Sequence, residues 1–180
     1  MENNLYKKYK TEVVPALKEE FGFKNAMQIP KINKVVLNVG VGKFVKETGF
    51  IENVESTLQK ITGQKPIRNK AKKAISNFKI RAGMDIGVSV TLRGKRMYDF
   101  LEKLTNVTFA RIRDFRGITD KGFDKQGNFS CGFKENMSFP EVRPEEIDKV
   151  HGLEIIIVTN ANNKQVGKSL LKHLGFPFKK

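Results

Sequence analysis

Three observations predict an α+β fold. Several short stretches alternate apolar and polar residues, others repeat apolar residues at three- and four-residue steps, and glycine or proline separates the two kinds. Strands with one apolar and one polar face belong to an antiparallel or mixed sheet with helices packed on one face only. The chain has 180 residues, 39% hydrophobic and 29% charged, so a single domain over residues 1–180 with a real core is expected.

The elements follow in order. Leu5, Tyr9, Val13, Leu17 and Phe21 fall at four-residue steps and predict a helix over Glu2–Phe21. Pro15 should kink it or split it in two, and Gly22 should stop it. Lys34–Val41 reads as a strand, with Val35, Leu37, Val39 and Val41 on one side and Lys34, Val36, Asn38 and Gly40 on the other. Ile51, Val54, Leu58 and Ile61 predict a helix from about Phe50 to Thr62, ended by Gly63. A short strand over Lys65–Asn69 precedes a basic loop at about 70–83. Ile86–Arg93 alternates again, with Ile86, Val88, Val90 and Leu92 facing one way and Gly87, Ser89, Thr91 and Arg93 the other. A helix over Lys95–Leu104 carries Met97, Phe100, Leu101 and Leu104 on one side. Asn128–Phe133 and Leu153–Thr159 are further strands. Asn162 or Asn163 is placed to cap a last helix carrying Val166, Leu170, Leu171 and Leu174, and Gly175 with Pro177 ends it.

Charge decides the class of partner. The net charge is +15 and the pI about 9.9, an excess that phosphates usually hold in place. From Gln64 to Ala82 the chain has no acid, while Lys65, Arg68, Lys70, Lys72, Lys73, Lys79 and Arg81 are all basic. Like charges repel, so this stretch is expected to resist folding back on itself and to seek a polyanion, with Phe78 available to stack on a base. The uncovered sheet face, small and polar through Asn38, Gly40, Gly87, Ser89, Thr91 and Arg93, is then a platform on which an RNA backbone lies close. Phe78, Phe115 and Phe139 stand in polar or basic surroundings and are the candidates for exposed rings.

Other chemistries find little footing. Gly40-Val41-Gly42-Lys43 follows a strand, but Phe44 and Val45 break the phosphate-loop and dinucleotide patterns. His151 and His173 lack metal-ligand spacing, and Asp120 with Asp124 reads as a turn rather than a calcium loop. Cys131 is the single cysteine, so no disulfide forms within the chain and a reducing compartment is expected. No cofactor and no metal are expected. Two alternatives remain open on residues alone. A basic enzyme acting on nucleic acid would need clustered acids, and Asp85, Asp114 and Glu154 form no motif. A peripheral membrane module would need a basic amphipathic helix, and the terminal helix offers only Lys164, Lys168 and Lys172.

Longer stretches carry a resemblance. KVVLNVGVG at Lys34–Gly42, TGQKPIRNKAKKAISNFKIRAGM at Thr62–Met84, VTLRGKRMYDFL at Val90–Leu101, RIRDFRGI at Arg111–Ile118, FDKQGNFSCGFKEN at Phe123–Asn136 and GFPF at Gly175–Phe178 resemble, in order and spacing, the bacterial large-subunit ribosomal protein L-five family. The resemblance covers essentially the whole chain. It implies a cytoplasmic structural constituent of the large ribosomal subunit, not an enzyme, with no membrane partner. It further implies binding of 5S rRNA in the central protuberance beside 23S rRNA and neighbouring large-subunit proteins. Contact with P-site tRNA and an inter-subunit bridge to small-subunit ribosomal protein S-thirteen are implied as well. The RNA-facing residues it points to, together with the basic strand ends, are Lys34, Asn38, Gln64, Lys65, Arg68, Lys70, Thr91 and Arg93. The basic loop resembles the family's finger toward tRNA, with Lys72, Lys73, Asn77, Phe78, Lys79 and Arg81. The region of the small-subunit contact would include Phe133, Lys134, Glu135, Asn136 and Arg143.

Overall fold

The N-terminal helix shows how local chemistry sets an element. In this computed structural model, which describes residues 4–44, 47–142 and 150–179 apart from the Lys43 side chain, α1 (Asn4–Lys8) runs through a π-helical turn at Tyr9–Val13 into α2 (Val14–Phe21). Pro15 has no N–H, so the ladder must skip there, and the wider turn absorbs the skip: the Val14 N–H reaches the Tyr9 carbonyl. Pro15 then stands in the first turn of α2, where an N–H would have no partner anyway. The expected two pieces are therefore joined without a break, and Gly22 ends the run at φ 66°.

Among the described residues five strands follow: β1 (Ile32–Gly40), β2 (Ile67–Lys70), β3 (Asp85–Leu92), β4 (Phe129–Phe133) and β5 (Leu153–Thr159). They form one antiparallel sheet in the order β2-β3-β1-β5-β4, so β2 and β4 are its edges. Together with the helices this is the expected α+β fold. The chain divides into two compact units, Met1–Val35, Leu92–Cys131 and Ile156–Lys180 forming the first, Val36–Thr91 and Gly132–Ile155 the second.

In the second unit, α3 (Thr48–Thr62) buries Ile51, Val54, Leu58 and Ile61, and Gly63 closes it at φ 66°. β2 pairs antiparallel with β3, Ile67 opposite Ser89 and Asn69 opposite Gly87, with a bulge between Asn69 and Lys70. Val88 and Val90 are buried, while Ser89 and Thr91 on the other side are half-buried.

In the first unit, α4 (Gly94–Lys103) buries Met97, Tyr98, Phe100 and Leu101, and α5 (Lys164–His173) buries Val166, Leu170 and Leu171. Each fully buried leucine contributes about 1.5–3 kcal/mol. Asn163, not Asn162, caps α5, accepting from the Gln165 N–H at 3.1 Å. Asp124 accepts from the backbone of Gln126 (2.9 Å) and Asn128 (2.8 Å), which makes the acidic stretch a turn. Among the described residues no group of three metal-ligating side chains exists, and no helix is long and apolar enough to cross a membrane. The three phenylalanines in polar surroundings differ in fate: Phe78 is 70% exposed, Phe115 of the first unit is half-buried, and Phe139 is fully buried.

Candidate nucleic-acid interface

The polar side of the second unit is built from β1 and β3. Alternation along β1 buries Leu37 and Val39 and turns Asn38 to the half-exposed side. The same period on β3 turns Thr91 out. Among the described residues neither the Asn38 amide nor the Thr91 hydroxyl makes a side-chain hydrogen bond, so donors and acceptors stand unused on an accessible face. Gln64 is held differently: its Nε2 donates to the Thr91 carbonyl at 3.1 Å, tying the end of α3 to the end of β3. Asn69 and Ser89 exchange hydrogen bonds across β2 and β3 at 3.0 and 3.3 Å. A Cβ at Gly87 would stand 3.6 Å from the Asn69 Nδ2 and 3.4 Å from the Val39 carbonyl, ordinary contact distances, so the pair does not depend on a glycine there. Asn69 is not among the residues the sequence singles out; its hydrogen bonds to Ser89 across the two strands are what give it a role.

The basic loop folds back on itself, against the expectation from charge alone. Backbone pairing supplies the reason. Ala71 N–H donates to Met84 O (2.8 Å), Gly83 N–H to Ala71 O (2.9 Å), and Ile75 and Ile80 exchange bonds at 2.9 and 3.1 Å. A turn at Ser76–Phe78 closes the hairpin, with Lys79 left-handed at φ 54°. The side chains of Lys72, Lys73, Asn77, Phe78, Lys79 and Arg81 all point outward from this frame and are exposed. Among the described residues no carboxylate pairs with Lys70, Lys72, Lys73, Lys79 or Arg81. Solvent screens their repulsion, so a few backbone bonds are enough to order the loop.

Arg68 is the exception in this group. Its guanidinium meets Glu55 of α3 at 2.7 Å and Asp85 at 3.8 Å. The basic stretch has no acid of its own, yet the fold brings two to it. Lys65 and Lys70 are exposed. In the first unit, Lys34 is half-buried on β1, in phase with Asn38, and Arg93 is exposed just ahead of α4.

Two family signatures match most of the chain: that described as ribosomal protein L5 matches residues 25–81, and that of the ribosomal L5P family C-terminus matches residues 85–178. The chain is similar to the large ribosomal subunit protein uL5 of Trichlorobacter lovleyi, 52% identical over 95% of this chain and 96% of that one. It is similarly close to uL5 of Chloroflexus aggregans (53% identical, 97% of both) and of Streptococcus thermophilus (48%, 100% of both). The chain belongs to the ribosomal protein L5 family. As a member it is an RNA-binding structural protein of the large ribosomal subunit, a cytoplasmic component of the translation apparatus, and not an enzyme.

The remaining candidate residues lie in the stretch after β4. Phe133 and Asn136 are buried there, Phe133 with its ring centroid 5.6 Å from that of Phe139. Lys134 and Glu135 are exposed, and Arg143 lies outside the described residues. Both polar atoms of the Asn136 side chain lack partners among the described residues, although the residue is 1% exposed. His151, in the same unit, packs edge-on against Phe50 at 6.2 Å, and its burial pushes the imidazole pKa down.

Proposed function

We propose that this chain binds 5S rRNA through the polar face of β1 and β3 and helps anchor it in the central protuberance, beside 23S rRNA. Short side chains on a flat face suit recognition of 2′-hydroxyls and backbone shape. The observation that carries this reading is the accessible, unengaged pair of Asn38 and Thr91, in a unit whose Lys70, Lys72, Lys73 and Lys79 have no carboxylate partner among the described residues. The hairpin, with Phe78 at its turn, reaches P-site tRNA, where a ring can stack and lysines can displace counterions. The bridge to small-subunit protein S-thirteen uses exposed Lys134 and Glu135, while Phe133 and Asn136 shape the segment from within.

The test is a gel-shift titration of Asn38→Ala and Thr91→Ala against 5S rRNA and an unrelated RNA at two salt concentrations. Removing either hydrogen-bonding group should weaken 5S binding about 2- to 10-fold, with melting temperature unchanged. Wild-type affinity in the folded fraction of both variants would refute the assignment.

A further inference from the structure

A second basic surface lies in the first unit, on the loop Arg111–Gly117. Arg111, Arg113 and Arg116 are basic and carried on this surface loop, and among the described residues none has a carboxylate at ion-pair distance. Arg111 and Arg113 are exposed. Asp114 is the one acid between Phe109 and Ile118, set in the turn at φ 53°. Asp120, just beyond, is already occupied by Lys168 at 3.0 Å.

The loop is fixed at both ends. Phe115 stacks on Phe109 with centroids 5.4 Å apart, and Phe109 meets Phe176 edge-on at 6.0 Å. Ile118 N–H donates to the Pro177 carbonyl (2.7 Å), and Lys179 N–H donates to the Ile118 carbonyl (2.9 Å). A Cβ on Gly117, at φ 93°, would stand 3.0 Å from the Lys179 nitrogen, so the C-terminal tail crosses that glycine closely. Lys179 is thereby held beside the arginines. Further up the tail, the Lys8 ammonium stands 3.8 Å from where a Cβ on Gly175 would be. Lys179 thus adjoins the loop at Gly117, and Lys8 adjoins the same tail at Gly175.

We propose that this arginine loop is a second phosphate-binding surface for RNA, separate from the hairpin of the second unit. It goes beyond the 5S reading and rests only on the family's RNA-binding character. The residue type supports it: the hairpin is mostly lysine, a steering point charge, whereas this loop presents arginines, whose planar forks grip phosphate oxygens in pairs. Ile112 is extended (φ −71°, ψ 126°), which sets the Cα atoms of Arg111 and Arg113 no more than about 7 Å apart. A pinned backbone sheds little freedom when its side chains bind, so the loop is suited to fixing position on a folded RNA.

The experiment uses the full chain and a labelled RNA duplex of generic sequence, titrated across salt. The triple variant Arg111→Ala, Arg113→Ala, Arg116→Ala should lower the salt-dependence slope by about 2–3, which is about 1 for each phosphate no longer neutralised. The triple change to lysine keeps the charge, so it should keep the slope while weakening binding about 2- to 10-fold; this arm decides the matter even if the alanine variant folds poorly. The alanine effect should be additive with neutralisation of the hairpin lysines. A wild-type slope in the alanine variant, full affinity in the lysine variant, or disappearance of the effect in the hairpin-neutral background would each overturn the proposal. So would an effect confined to poly-glutamate or to anionic phospholipid vesicles used as competing probes. Failure of the Asn38 and Thr91 test would leave this result standing, because the probe carries no 5S sequence.

Discussion

Neutralising the hairpin as Lys72→Gln, Lys73→Gln, Lys79→Gln separates its role from that of the sheet face. The frame of the hairpin is backbone: the Ile75–Ile80 and Ala71–Met84 bonds involve none of these side chains. Glutamine keeps the side-chain length similar and leaves the left-handed position of Lys79 no more strained than before. The fold should therefore survive with its melting temperature unchanged. Each lysine that neutralises a phosphate adds about 0.7–0.9 to the slope of log affinity against log salt. Three such lysines add about 2.1–2.7. Over a fourfold rise in salt, from about 50 to about 200 mM, the wild type should then lose about 20- to 40-fold more affinity for tRNA than the variant does. The assay is filter binding or a gel shift with tRNA and with 5S rRNA, side by side, at several salt concentrations. The slope for tRNA should fall by the full amount and that for 5S rRNA by much less. Equal declines for both would refute the idea of a separate finger, and an unchanged tRNA slope would refute phosphate contact by the hairpin.

Two stability predictions accompany it. His151 is buried against Phe50, and burial disfavours its charged form. Its folded pKa lies below the unfolded 6.5, so the unfolded chain binds the extra proton first. The stability this neutral histidine permits is complete above pH 6.5 and drains away as pH falls toward its folded value; His151→Phe should remove that slope in a series of pH-dependent melts, and an identical slope in the variant would contradict the assignment. Gly167→Ala drives a Cβ into the Gly127 carbonyl oxygen and to 2.9 Å from its Cα, both backbone atoms with little room to yield. The variant should be destabilised by about 1–3 kcal/mol, read as about 2–4 °C of melting temperature per kcal/mol, and an unaltered melt would show that α5 packs more loosely on Gly127 than these distances require.

Local periodicity determined much of this protein. The period-two strands Val35–Val39 and Val88–Leu92, the helical stripe from Ile51 to Ile61 and the glycine stops at Gly22 and Gly63 all follow from neighbour spacing and a single residue's allowed angles. The same alternation placed Asn38 and Thr91 on the accessible side, because a strand leaves no third option. Charge repulsion within the basic segment was also legible, but its conformational outcome was not: cross-loop backbone bonds outweigh screened repulsion, and Glu55 and Asp85 reach Arg68 from other elements of the fold. Which phenylalanine ends in the core was equally undecided, since Phe78 and Phe139 have similar polar neighbours and opposite burial. The pinning of the arginine loop by Pro177 and Lys179 depends on a tail far along the chain. Spacing along the chain fixes which face a side chain takes; only the meeting of remote segments fixes what stands opposite it.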